Sequence, residues 1–215
     1  MKKIYFVRHG QTYMNVYQRV QGWIDSPLTE SGMRDAEMVA KRLQKVPLIA
    51  AWSSDTIRAI KTRNAIVSKN INQGNISVKT SSAFREQFFG YMEGMDEPQM
   101  WRIIAHHFGF KDQDEMIAKK VSFDKIRDIS HKLDPYHQAE DSGMFWERIS
   151  QGIGDIQRCK QEGNYLVVSH GLTIRSLVEK YAPNKFNLTI PPRNGSISIM
   201  TMDDKGNISF ESYNQ

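Results

Sequence analysis

Two apolar runs in this chain end in the same dipeptide. Ile4-Tyr5-Phe6-Val7 leads into Arg8-His9-Gly10-Gln11-Thr12, and Tyr165-Leu166-Val167-Val168 leads into Ser169-His170-Gly171. A strand leaving a core ends in turn-forming and polar residues, and a glycine alone meets that need. A histidine at both exits asks for more. In an open parallel sheet, ligands bind beyond the carboxyl ends of the strands, where loops and helix N-termini gather. If the two strands are neighbours, both imidazoles face one small space there. Arg58 lies downstream of a third strand end, in the first turns of the helix expected after Ser53-Ser54-Asp55. Together with Arg8 it offers planar forks suited to phosphate oxygens, and nearby helix N-termini would add backbone donors. Glu86, within Phe84-Arg85-Glu86-Gln87-Phe88-Phe89-Gly90, sits among aromatic residues, where desolvation favours a protonated carboxyl able to donate to a leaving oxygen. Phosphoryl transfer from a monoester needs an in-line nucleophile, positive charge around the equatorial oxygens and a proton for the departing alkoxide. A histidine, two arginines and a glutamic acid can fill those roles.

The elements that must place these residues follow from periodicity. Apolar runs rich in β-branched and aromatic residues alternate with segments of helical period, as in βαβ units whose parallel sheet is buried on both faces. The class is α/β. Strands are expected at 3–7, 48–52, 76–78 and 165–169, with a closing hairpin of 196–202 and 208–213 around Asp204-Lys205-Gly206-Asn207. One helix opens at Glu30-Ser31-Gly32 and carries Met33, Ala36, Val39, Ala40 and Leu43 at spacings of three and four, ending before Pro47. A second runs through Ile57, Ile60, Ala65 and Ile66, capped by one of Ser53, Ser54 and Asp55. Further helices are expected at 142–161, holding Cys159, and at 172–181. Between them, residues 93–141 loosen into amphipathic pieces, one around Met100, Ile103, Ile104 and Phe108 and another around Met116, Ile117, Val121 and Phe123, and read as a helical insertion.

Composition narrows the class of protein. A chain of 215 residues suits one domain, 1–215, and its 40% hydrophobic and 25% charged content is ordinary for a soluble protein. No apolar run has the length of a membrane span, and Arg8 and His9 interrupt the only leader-like stretch, so a strand is expected there and not an export signal. Cys159 is the only cysteine, which excludes an intrachain disulfide and points to a reducing compartment, the cytoplasm. The net charge of +5 is spread among acids and outlines no nucleic-acid groove; no membrane partner is expected either, and the oligomeric state stays open.

Taken in order, Arg8-His9-Gly10-Gln11-Thr12, Asn15, Pro27-Leu28-Thr29-Glu30-Ser31-Gly32, Ser53-Ser54-Asp55 with Arg58-Ala59 and Thr62, Glu86 with Gly90 and Glu93-Gly94, and Ser169-His170-Gly171 resemble the histidine phosphatase superfamily, in its phosphoglycerate mutase-like branch. The matches run from residue 4 to about 200. The expected architecture is then a three-layer α/β/α sandwich with a mostly parallel central sheet and a helical insertion over the active site. The resemblance implies His9 as the nucleophile that becomes a phosphohistidine, Arg8, Arg58 and His170 as the phosphate pocket, and Glu86 as the proton donor. It also implies that Asn15, Gln21, Gly22 and the backbone amide of Leu172 help hold the phosphoryl group, with no metal and no cofactor. Thr56, Arg63 and Glu140-Asp141-Ser142 depart from the family pattern without removing a catalytic atom.

The expected function is hydrolysis of a small phosphorylated metabolite. A mutase needs extra cations for a second anion on its substrate and a lid against water, and in the family an arginine pair in a longer insertion supplies them. Between Gly94 and Ser142 this chain has isolated Arg102 and Arg127, the pair Lys119-Lys120, and the aromatic run Trp101, His106, His107, Phe108 and Phe110. Those aromatics line the pocket or fill the insertion's own core. Mutase-type transfer and a phosphate-ester-binding protein without turnover are the alternatives. A metal hydrolase fits poorly, since no HExxH or CxxC spacing is present and His106 and His107 point to different sides of a helix. His131 and His137 read as surface residues, Cys159 as an inert thiol, and Trp23 and Tyr91 as either pocket or core.

Overall fold

The computed structural model describes residues 1–215. Its centre is a sheet of six strands, β1 (Lys2–Arg8), β2 (Leu48–Ser53), β3 (Ser77–Thr80), β4 (Gly163–Ser169), β5 (Ile197–Met202) and β6 (Ile208–Ser212), in the order β3-β2-β4-β1-β5-β6. The first four strands run parallel, while β5 is antiparallel to β1 and to β6. The parallel strands are apolar on both faces because both are covered. Ile4 and Phe6 of β1 and Tyr165 and Val167 of β4 pack against α7 (Ser142–Gln157) and α8 (Gly171–Tyr181). Val7, Leu166 and Val168 point the other way, against α2 (Glu30–Leu43) and α3 (Ile57–Ser68). In β2 a register shift between Leu48 and Ala50 puts Leu48 and Ala51 on one face and Ala50 and Trp52 on the other. The result is the three-layer α/β/α sandwich.

The exits of β2 and β4 into their helices are short, and that of β1 is long. Between β1 and α2 lies one turn of helix, α1 (Tyr13–Val16), capped reciprocally by Thr12 and Asn15. Segment 93–141 is helical as expected, with α4 (Glu97–His107), α5 (Gln113–Ala118) and α6 (Phe123–Leu133), each capped by an aspartate or serine. These helices share an apolar cluster of Met100, Trp101, Ile104, Met116, Phe123 and Ile126, which reaches Leu172 at the start of α8 and so roofs the carboxyl ends of β1 and β4. The insertion aromatics divide accordingly. Trp101, Phe108 and Phe110 join that cluster, and His106 and His107 stay exposed.

Several local expectations change. Met33 and Ile57 are exposed, and α3 buries Arg58, Ala59, Thr62, Arg63 and Ile66, a face polar enough to hide its role from an apolar count. The cap of α3 is Thr56, without a side-chain cap bond, not one of residues 53–55. Helix α7 stops at Gln157, so Cys159 lies beyond it, half-buried, with Sγ donating to the Asp155 carbonyl. The third strand sits at 77–80 and is exposed along its length. Ile103 is also exposed. No helix is long and apolar enough to cross a membrane.

Candidate active site

Because β1 and β4 are adjacent, with Arg8 opposite Ser169, the two His-Gly exits open side by side. The His9 and His170 rings lie 5.2 Å apart between centroids, inclined at 62°. Both are buried, at 3% and 1% exposure. His9 Nδ1 lies 2.8 Å from the Gly10 carbonyl, which can only accept, so the ring proton sits on Nδ1 and Nε2 carries the lone pair. His170 has the opposite tautomer. Its Nδ1 is 3.2 Å from Arg58 Nη2, a group that only donates, so Nδ1 accepts and the proton is on Nε2, which has no partner in the structure. Burial, reinforced by the Arg58 guanidinium, pushes both imidazoles well below the ordinary histidine value. One neutral nitrogen base and one neutral N–H donor thus lie in adjacent rings.

The loop carrying His9 is stitched to its surroundings by backbone. Gly10 N–H donates to Thr62 Oγ1 at 3.1 Å, and the Gln11 carbonyl accepts from the Thr29 amide at 2.9 Å. Gly10 and Gly32 are in backbone contact: a Cβ on Gly10 would stand 2.1 Å from the Gly32 carbonyl oxygen, and one on Gly32 would stand 2.0 Å from the Gln11 carbonyl oxygen. Only glycines fit this crossing.

Arg58 is fully buried and held at both terminal nitrogens. Nη1 donates to the Ile24 carbonyl at 2.9 Å and to Asp25 at 3.0 Å, while Nη2 donates to the Gly22 carbonyl at 2.7 Å and to His170. The 22–24 segment that supplies those carbonyls is itself folded around Glu93, whose carboxylate accepts from the amides of Gly22, Trp23, Ile24 and Phe89 at 3.0–3.2 Å. Gly22 therefore offers its carbonyl to Arg58, and its amide is taken by Glu93. Arg8 donates from Nη1 to the Pro192 carbonyl at 2.6 Å, and its Nε has no partner.

Glu86 differs most from expectation. It is buried, yet it does not want for hydrogen bonds: Oε2 accepts from the Leu172 amide at 2.8 Å, and Oε1 accepts from the Thr173 amide, the Thr173 hydroxyl and its neighbour Gln87. The first turn of α8, expected to present donors to a phosphate, is occupied by this carboxylate, and the Leu172 amide with it. Arg148 of α7 holds the Glu86 loop from behind. It donates to the carbonyls of Ala83, Arg85 and Glu86 at 2.9–3.0 Å and pairs through two nitrogens with Glu140, which in turn accepts from the Phe88 amide.

A cavity of about 430 Å³ opens over His9 and is lined by Arg8, Asn15, Gln21 and Glu86 among others. Arg58, His170 and Gly22 are not among its lining residues. Gln21 accepts from the Thr12 hydroxyl and leaves its buried Nε2 without a partner; Asn15 Oδ1 accepts from the Thr12 amide. Trp23 and Tyr91 belong to neither pocket nor core. The Trp23 ring stacks near Phe88 under Arg85 and donates to the Glu86 carbonyl, and Tyr91 is exposed beside Tyr136. His137 is exposed, whereas His131 is half-buried against the Ala139 carbonyl. Arg127 is turned into the protein base, onto Asp124, Ser176 and the Phe145 ring, and Arg63 ties α3 to Ser53 and to Lys79 and Thr80 of the β3 edge.

Sequence reasoning passed over four residues here. Asn194 donates to the His9 carbonyl at 3.0 Å and lines the cavity, but it follows Pro191-Pro192 in a loop without a pattern. Arg175 lines the same cavity and is 4% exposed with an unpartnered Nε; its spacing of three from Leu172 on one helix face was the available signal. Asp25 and Arg148 gave none.

The sequence profile of the histidine phosphatase superfamily (branch 1) matches residues 4–215. Phosphoglycerate mutase-like protein 4 of Arabidopsis thaliana is 30% identical over 183 residues, covering 85% of this chain and 72% of that one. The crystal structure of a phosphoglycerate mutase from Bacillus anthracis str. Sterne superposes with a TM-score of 0.90 at 32% identity, over 99% of this chain and 92% of that one. A mycobacterial glucosyl-3-phosphoglycerate phosphatase, at 20% identity and a TM-score of 0.72 over 100% and 99% of the two chains, shares the fold.

Proposed function

Since the chain belongs to the histidine phosphatase superfamily (branch 1), we propose that it hydrolyses a small phosphomonoester through a phosphohistidine on His9. The observation that carries this reading is the pair of neutral imidazoles of opposite tautomer, one with a free lone pair on Nε2 and the other with an unpartnered Nε2–H. In the first step His9 Nε2 forms a bond to phosphorus as the bond from phosphorus to the alcohol oxygen breaks, and Glu86, having taken up the proton of the monoanionic ester, gives it to that oxygen. In the second, Glu86 takes a proton from water, whose oxygen attacks phosphorus while the bond to Nε2 breaks, releasing inorganic phosphate. Arg8, Arg58 and His170 Nε2–H spread the charge on the equatorial oxygens.

The resting bonds of Glu86 fit this cycle. When Glu86 turns from the first turn of α8 toward the leaving oxygen, it frees the Leu172 and Thr173 amides for phosphoryl oxygens. Donor to the leaving group and donors to the phosphate would then come into place together. Asn15 and Gln21, with its unpartnered Nε2, complete the cradle.

Mutase-type transfer is the second reading, favoured by the likeness to proteins named phosphoglycerate mutases. Against it stand an insertion without adjacent arginines and an Arg127 committed to Asp124 and Ser176. The test is release of phosphate from an aryl phosphate in the presence of chelator, with His9→Ala beside the wild type, and quenching in alkaline denaturant to trap a phosphoramidate. Chelator-resistant release and a base-stable, acid-labile phosphoprotein, both lost in the variant, are expected. Isomerisation of phosphoglycerate without net phosphate release would replace hydrolysis with the mutase reading; binding with neither activity would leave a phosphate-ester-binding protein.

A further inference from the structure

The cavity over His9 does not end at the insertion. A second cavity of about 630 Å³ continues it along α4, and the two share five lining residues: Gln18, Glu97, Trp101, Gln113 and Asp114. Those residues form the passage between the phosphate cradle and the far space. They are one indole, two primary amides and two carboxylates, with no cation and no aliphatic side chain. Glu97 and Trp101 stand one turn apart on the same face of α4, and Trp101 Nε1 donates to Glu97 at 3.4 Å. The amides of Gln18 and Gln113 and the carboxylate of Asp114 make no hydrogen bond within the protein. Gln18 is held in place by its backbone: at φ 52° it adopts the left-handed conformation uncommon for such a residue, and its carbonyl accepts from the Glu97 amide at 2.8 Å.

We propose that this passage is the subsite for the alcohol part of the substrate and that it selects an uncharged, polyhydroxylated ring, so that the ester turned over is a sugar phosphate or phosphorylated glycoside. The proposal rests on the phosphomonoesterase reading above and gives it a substrate class. A hydroxyl is both donor and acceptor. Carboxylates at 97 and 114 accept from it, and amides at 18 and 113 can do either, while the small exposed part of the otherwise buried Trp101 indole gives the C–H groups of a sugar ring an apolar edge. A substrate carboxylate or second phosphate at the same point would meet two like charges, whereas the cations Arg19, Arg102 and Lys111 line the cavities only to either side of the passage.

The experiment separates the subsite from the chemistry. Turnover of phenyl phosphate by the wild type tests hydrolysis. Calorimetric Kd values for the His9→Ala protein, which needs no turnover, test selectivity among glucose 6-phosphate, ribose 5-phosphate, 3-phosphoglycerate and phosphoethanolamine. One of the two sugar phosphates should bind about tenfold or more tightly than either of the others. Adding Trp101→Leu, or Glu97→Gln with Asp114→Asn, should shrink the sugar-to-phosphoglycerate ratio at least threefold. Glu97 and Asp114 are exposed, so the second variant carries the test if the tryptophan variant does not fold. Preference for 3-phosphoglycerate, preference for phosphoethanolamine, no preference among the four, or a ratio unmoved by the variants would each overturn the proposal, whatever phenyl phosphate does.

Discussion

Replacing Glu93 by glutamine tests whether Arg58 is held in place by a carboxylate that never touches it. Oε1 of Glu93 accepts from the Trp23 and Phe89 amides and Oε2 from those of Gly22 and Ile24. Glutamine keeps one oxygen and sets an NH₂ group against the other two amides, so two hydrogen bonds are lost and the remaining two lose their charge. Hydrogen bonds to charged groups are worth about 1.5–3 kcal/mol each, which would make about 3–6 kcal/mol for two; because Trp23 and Ile24 are open to water, about 2–3 kcal/mol is the figure to expect. The loosened segment carries the Gly22 and Ile24 carbonyls that orient Arg58, so kcat/KM for an aryl phosphate should fall about 10- to 100-fold, the equivalent of about 1.4–2.8 kcal/mol of transition-state stabilisation. Urea unfolding followed by circular dichroism measures the first number and steady-state kinetics the second. In a double-mutant cycle, Glu93→Gln and Arg58→Lys should be less than additive. A variant within about 0.5 kcal/mol of wild-type stability and twofold of its kcat/KM would refute the reasoning.

Four further outcomes are expected. Both site histidines are held neutral well below the value of about 6.5 that they have in an unfolded chain. Their contribution to stability is therefore full above that value and is lost as pH falls below it, because the unfolded chain takes up protons that the folded one refuses; NMR titration midpoints above 6.5 for both rings would contradict this. Nitrogen-15 shifts should show the proton on Nδ1 of His9 and Nε2 of His170, and the same tautomer in both would remove the donor–acceptor pairing. Glu86→Gln should slow alkyl esters far more than esters with good leaving groups, and equal losses would end its role as proton donor. Arg148→Lys, which cannot span the carbonyls of Ala83, Arg85 and Glu86 together with Glu140, should reproduce that dependence on leaving group in milder form; a loss uniform across esters would mean that Arg148 supports the fold and not Glu86.

The parts of the site legible in the sequence are those whose residue type and chain position coincide. His9 and His170 were found because each directly follows a strong β run, and parallel pairing of those runs brought the rings together. Arg58 was found as an early residue of a helix after a strand. What escaped was the work done by backbone. The amides of residues 22–24 that wrap Glu93, and the carbonyls of 83–86 that Arg148 gathers, carry no side-chain signature, and their partners lie about 70 and 63 residues away. The amide partners of Glu86 are hidden for a related reason: its aromatic neighbours are visible in the sequence, whereas the start of α8, 86 residues further on, is not. The buried face of α3 misled an apolar count because Arg58, Thr62 and Arg63 occupy it for site and edge contacts.

The Gly10–Gly32 crossing has an evolutionary side. Most tight contacts can be repaired: enlarge one partner, shrink the other, and the pair drifts together. Here each absent Cβ would strike main-chain oxygen, at 2.1 and 2.0 Å, and neither partner has a side chain left to shorten. No second-site change at the other position can compensate, so the two sites should show deleterious singles and no reciprocal rescue in a pairwise mutational scan. Correlated substitution, the usual statistical mark of residues that touch, would be silent at the contact that sets where the His9 loop meets α2.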